Sequence, residues 1–141
     1  MNDTQDITAR IWIIDDDQSI RWVLEKALKK SGYQTKSFDS AARALTTLKR
    51  QETAQPETII TDVRMPGIDG FEFMKQVHHF DPDMPIIIMT AYSDLDTTVQ
   101  AYQEGAFEYL SKPFDIDEAI SLVSRAVEKR MENAPKFKTA E

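Results

Sequence analysis

Apolar residues fall into two rhythms along this chain. Ile11-Trp12-Ile13-Ile14, Thr58 to Thr61 around Ile59-Ile60, and Ile86-Ile87-Ile88-Met89 are short continuous runs rich in β-branched residues. Such runs predict central parallel strands buried on both faces. Gln34 to Phe38 alternates weakly and predicts a shorter strand, and Phe107 to Leu110 a fifth. Between these runs the apolar spacing is helical. Ile20, Val23, Leu24, Ala27 and Leu28 form one stripe, stopped by Ser31-Gly32. Ala41, Ala44, Leu45 and Leu48 form the next, capped by Asp39 or Ser40. Asp69 and Glu72 make a capping box for a third helix with Phe73, Met74, Val77 and Phe80 inward. Ser93 and Asp96 make another box, for a helix from Asp94 to Glu104 with only Leu95, Val99, Ala101 and Tyr102 to bury. Asp115 and Glu118 cap the last, whose stripe is Ile116, Ala119, Ile120, Val123, Val127 and Met131.

Five strand-helix units without internal repeat predict a single α/β domain, a doubly wound (βα)5 fold on a five-stranded parallel sheet with right-handed crossovers. The domain spans 11–132, after a flexible lead-in over 1–10. Residues 133–141 are polar, contain Pro135, and read as the start of an interdomain linker. The helix 94–104 has the thinnest stripe, so it is the element expected to move.

Composition narrows the function. At 141 residues and 41% hydrophobic content the chain suits one domain with a real core. A net charge of −7 argues against direct nucleic acid binding, which wants a basic face. With no cysteine there is no disulfide framework, thiolate metal site or cysteine nucleophile. The apolar runs are far below the roughly 20 residues of a membrane helix, and the polar segment Met1 to Arg10 has no apolar signal core. The reading is a soluble, cytoplasmic protein with no membrane contact.

In a doubly wound sheet the loops after strands one, three, four and five converge at one edge, where ligands bind. Here those loops carry Asp15-Asp16-Asp17, Asp62, Thr90 and Lys112. Carboxylates gathered there repel one another unless a cation joins them, and an all-oxygen donor set selects Mg²⁺ or Mn²⁺. A metal, an ammonium and a hydroxyl together suit a phosphoryl group. Asp62 is then the natural nucleophile, forming an aspartyl phosphate. Each residue taken singly has a plainer role. A lone Asp there caps a helix, Thr90 ends a strand, Lys112 sits in a surface turn and Tyr109 is a half-buried strand aromatic. His78-His79 read as solvated at a helix end.

Three segments carry a family likeness: Ile13-Ile14-Asp15-Asp16-Asp17 leading to Ile20-Arg21, Asp62-Val63-Arg64-Met65-Pro66-Gly67 with Asp69-Gly70, and Lys112-Pro113-Phe114. Over residues 11–132 the chain resembles the receiver domain of two-component response regulators. The resemblance implies strand order 2-1-3-4-5 and a phosphoacceptor switch, not an enzyme. It places the phosphoacceptor at Asp62, supplied by a sensor histidine kinase. It implies a Mg²⁺ site made by Asp16 directly, Asp15 through water, Asp62 and the Arg64 backbone carbonyl, with Asp17 an extra acid that spacing alone does not exclude. Thr90 and Lys112 would bind the phosphoryl group, Thr90 and Tyr109 would switch, and Lys112-Pro113 would be cis, where X–Pro bonds tolerate it. The runs DDDQSIRWVLEKAL and TDVRMPGIDG further resemble a nitrogen-regulation branch of that family. That implies a downstream ATPase domain acting on sigma-54 polymerase, a DNA-binding domain and a phosphorylation-dependent dimer. Three rivals remain. A Mg²⁺-dependent aspartate-nucleophile phosphatase would carry a second aspartate where Arg64 stands. A flavodoxin-like cofactor binder would need a hydroxyl- and glycine-rich phosphate loop where three aspartates stand. The third is a receiver-shaped interaction module that works without phosphorylation.

Overall fold

The computed structural model describes residues 8–51, 54–91 and 95–132. In chain order the elements are β1 (Arg10–Ile14), α1 (Gln18–Lys30), β2 (Gln34–Phe38), α2 (Ala41–Arg50), β3 (Thr58–Asp62), α3 (Gly70–Phe80), β4 (Ile86–Thr90), α4 (Leu95–Gln103), β5 (Glu108–Ser111) and α5 (Ile116–Glu132). All strand pairs are parallel, in the order β2-β1-β3-β4-β5. The doubly wound five-stranded sheet and its strand order are as expected. Every residue of β3 and β4 is buried, as two-sided strands require.

The period of two along each strand sends alternate side chains to two cores. Trp12, Ile14, Ile59, Ile86 and Ile88 pack with α2, α3 and Ala101 of α4. Ile11, Ile13, Ile60, Ile87 and Met89 pack with α1 and α5. With both faces covered, loops at the carboxyl ends of the strands are left free to carry chemistry.

Several details depart from expectation. Ala9 is buried and its carbonyl accepts the Gln34 N–H, so the sheet already claims the last residues of the predicted lead-in. The strand β5 starts one residue later than predicted. Phe80, expected inward, is 43% exposed, and Met131 37%. Phe71, Leu122 and Ala126 are buried instead, because the inward stripes of α3 and α5 run through those positions. His78, expected solvated, is half-buried with Nε2 at 2.9 Å from the Met84 carbonyl oxygen. The thin stripe of α4 is thinner still: Leu95 is 76% exposed, Val99 and Tyr102 are exposed, and Ala101 alone is buried. Ser93, Asp94 and the proposed linker 133–141 lie outside the described residues.

Candidate functional site

The site begins where β1 and β3 end. Asp15 follows the last residue of β1 and is fully buried, and Asp62 closes β3 at 7% exposure. Two adjacent parallel strands therefore deliver two carboxylates to one place. Lys112, from the loop after β5, reaches both: its Nζ donates to Asp15 Oδ2 at 2.7 Å and to Asp62 Oδ2 at 3.3 Å. The remaining oxygens are held from the backbone. The Asp17 N–H donates to Asp15 Oδ1 at 2.8 Å, and the Val63 N–H to Asp62 Oδ1 at 2.9 Å.

Exposed Asp16 completes the group. Asp15, Asp16 and Asp62 each offer a carboxylate oxygen, and these oxygens all lie within 4.8 Å of one another. The electrostatics follow from that crowding. Burial first, then the Asp15 charge, push the Asp62 carboxyl above its usual range, with Lys112 pulling the other way. Burial would lower the Lys112 ammonium, but its hydrogen bond and charge contact with Asp15, and then Asp62, outweigh that and raise it. A single lysine against three acids leaves net negative charge at a half-enclosed, all-oxygen site. The donor set fits a hard divalent cation of the Mg²⁺ or Mn²⁺ type.

The other predicted residues divide. Thr90 ends β4, fully buried, and its carbonyl accepts the Lys112 N–H at 2.9 Å. This laces the end of β4 to the loop that carries the ammonium. Tyr109 pairs in register with Ile88 and lies half-buried against the core beneath α4. Thr90, Thr97 and Gln100 share a cleft with Met65 and Phe71, between the loop after β3 and α4. Arg64 is exposed in that loop, and Lys112-Pro113 is cis. Asp17 stands apart from the three converging acids. It is the N-cap of α1, its Oδ1 accepting the Ser19 N–H at 2.9 Å and the Ser19 hydroxyl at 2.6 Å. Those Ser19 bonds hold its carboxyl below the usual range.

Two contributors were not foreseen. Arg21 Nη1 donates to the Asp15 carbonyl at 2.6 Å. Gly70 opens α3 with its N–H on the Val63 carbonyl at 2.8 Å, so close that a Cβ there would stand 2.3 Å from the Asp62 carbonyl oxygen. A glycine directly after the capping Asp69 was the available signal for the second. Nothing in local spacing announces the first.

The family described as Response regulator receiver domain matches residues 11–124. Among curated proteins, the DNA-binding transcriptional regulator NtrC of Klebsiella pneumoniae is 53% identical over 116 residues, covering 82% of this chain and 24% of that protein. The C4-dicarboxylate transport transcriptional regulatory protein DctD of Rhizobium meliloti (strain 1021) is 37% identical over 134 residues, 93% of this chain and 28% of that protein. The chain thus spans about a quarter of the length of these relatives. Among solved structures, a response regulator receiver domain protein from Clostridium thermocellum superposes with a TM-score of 0.82 at 28% identity, covering 89% of this chain and 99% of that one. The solution structure of the apo receiver domain of nitrogen regulatory protein C gives 0.75 at 49% identity, covering 85% and 94%.

Proposed function

The chain belongs to the response regulator receiver domain family, and from that premise we propose that it accepts a phosphoryl group on Asp62 from a phosphohistidine of a sensor kinase. The observation that carries this is the convergence of Asp15, Asp16 and Asp62 with the Lys112 ammonium at the buried end of β3. In the transfer an Asp62 carboxylate oxygen attacks phosphorus. A P–O bond forms, the P–N bond breaks, and the histidine leaves with the electron pair. A carboxylate has no proton to lose, so no general base is required.

Asp15, Asp16, Asp62 and the Arg64 carbonyl would hold Mg²⁺, with Mn²⁺ as a substitute, and the cation would neutralise charge on the transferring oxygens. Lys112 exchanges its Asp62 contact for a phosphoryl oxygen while keeping Asp15. The Thr90 hydroxyl supplies a donor to another oxygen from the end of β4. A phosphoryl group brings about −1.5 to −2 charge and three acceptor oxygens. Drawing Thr90 toward it opens space that Tyr109 can enter beneath α4. The helix α4, fastened through Ala101 and otherwise largely exposed, then takes a second position. Inverting such an equilibrium from 1:99 to 99:1 needs about 5.5 kcal/mol, within the reach of several charge-assisted hydrogen bonds.

The domain is a switch and not a turnover enzyme. In a longer chain of the NtrC or DctD type it would work in the cytoplasm and control an ATPase domain acting on sigma-54 polymerase, with a separate DNA-binding domain and phosphorylation-dependent dimerisation. Intact mass after incubation with acetyl phosphate tests the reading. One added phosphoryl group is expected on the unmodified chain with Mg²⁺, and none without the metal or on Asp62→Asn. An adduct that persists on Asp62→Asn would overturn it.

A further inference from the structure

We propose that Arg21 is a positioning residue for the acidic site, setting the direction of the Asp16 carboxylate through the Asp15–Asp16 peptide; this rests on the metal-site reading above. The three acids are held in different ways. Asp62 is fixed by the Val63 N–H and Lys112, and Asp15 by the Asp17 N–H and Lys112. The Asp16 carboxylate has no hydrogen-bond or ion-pair partner among the described residues. Among the described residues, its backbone alone sets its aim.

That backbone lies just past the ladder of β1. The Asp15 N–H still bonds the Phe38 carbonyl at 3.2 Å, but the Asp15 carbonyl, half of the peptide unit that carries the Asp16 nitrogen, turns out of the sheet. Arg21 receives it at 2.6 Å. The Arg21 N–H bonds the Asp17 carbonyl at 3.2 Å, the ordinary first-turn bond of α1 that any residue there would make, so the side-chain bond to Asp15 is what distinguishes Arg21. Arg21 is half-buried, and its guanidinium presents donors in a fixed plane.

Charge and position make opposite predictions here. A cation beside a cation site weakens metal binding by repulsion, so if charge were the whole role of Arg21, removing it would tighten Mg²⁺. If Arg21 positions Asp16, removing it loosens Mg²⁺, by about tenfold on the scale seen when partners of metal ligands are lost. The experiment is a Mg²⁺ titration of the full 141-residue chain, followed by amide chemical shifts at residues 15–17 and 62–64 and by the metal-dependent rise in Tm. Arg21→Met, Asp16→Asn and Arg130→Met are compared with the unmodified chain, the last removing an ion pair to Asp81 at the end of α3, at the opposite edge of the sheet from the acids.

The expected result is about tenfold weaker binding in Arg21→Met, loss of site binding in Asp16→Asn, and unchanged affinity in Arg130→Met despite its lower Tm. Should Arg21→Met fail to fold, Arg21→Gln, which is polar but too short to reach the carbonyl, carries the same expectation. Equal or tighter binding in the Arg21 variant, with Asp16→Asn still defective, overturns the role of Arg21 and leaves the metal site standing. No Mg²⁺ response at residues 15–17 and 62–64 of the unmodified chain overturns both.

Discussion

Replacing Gly70 by alanine sets two effects against each other at the acceptor. Gly70 is the first residue of α3, and helix propensity alone favours alanine by about 1 kcal/mol. The added methyl would stand 2.3 Å from the Asp62 carbonyl oxygen, 3.0 Å from Val63 Cα and 3.1 Å from the Asp62 carbonyl carbon. Real Cβ atoms essentially never come under 3.0 Å, and all three neighbours are backbone, which cannot rotate aside. Overpacking of this kind costs about 1–3 kcal/mol, and more where main chain must shift. With main chain on every side the upper part of that range applies, about 2–3 kcal/mol, so the clash wins by about 1–2 kcal/mol net. For a domain of this size that lowers Tm by about 3–6 °C. The displaced atoms belong to Asp62 itself, and misplacing a reacting group by about 1 Å can cost up to about a hundredfold in rate. Gly70→Ala should thus slow phosphorylation by acetyl phosphate at least about tenfold at saturating Mg²⁺. Gly67→Ala is the comparison. Its φ is +85° with nothing within 4 Å of the new methyl, so it should lose about 1–2 kcal/mol to left-handed backbone while keeping a near-normal rate. A Gly70→Ala chain as stable as the unmodified one, or phosphorylated as fast, would refute the reasoning.

In chelator at neutral pH, Asp62→Asn should raise Tm, because the buried Asp62 charge faces Asp15. Its folded pKa lies above the ordinary 3.8, so the stability this group contributes is present below that value and fades as pH rises through the folded pKa. The Tm gap between variant and unmodified chain should therefore open between acid and neutral pH, and a gap that stays constant counts against the account. On α4, the Tyr102 hydroxyl donates to Glu108 at 3.0 Å, and Glu108 also takes Arg125 Nη1 at 3.2 Å. Tyr102→Phe removes a tie worth about 0.5–1.5 kcal/mol, and amide hydrogen exchange across 95–103 should quicken about two- to tenfold. Unchanged exchange would mean that this tie does not hold α4.

The sheet was legible in the sequence because its central strands are buried on both faces, which leaves continuous runs such as Ile86 to Met89 that helical spacing cannot produce. Strand order was not carried by those runs; it came through the family likeness of the three loop segments. Stripe membership failed at helix ends and within α5, where Leu122 and Ala126 are buried but were not expected to be. Phe80 and Met131 keep the helical period but sit at the last residue of α3 and the second-last of α5, 43% and 37% exposed. Spacing alone did not exclude Asp17; the family likeness set it apart as the extra acid, and the start of α1 at Gln18 makes it the helix cap. Arg21 was quoted for its likeness alone, since a guanidinium reaching back to a main-chain carbonyl has no sequence signature. The exposure of α4 was visible early as a shortage of apolar residues, and the structure deepened it.

The most direct test of the account locates the phosphoryl group. The unmodified chain is phosphorylated by acetyl phosphate with Mg²⁺, treated with borohydride to reduce any acyl phosphate to the alcohol, digested, and mapped by mass spectrometry. Homoserine at position 62, with Asp15, Asp16 and Asp69 intact, is the predicted result. Homoserine at another aspartate, with Asp62 unchanged, would contradict the claim that the end of β3 carries the acceptor.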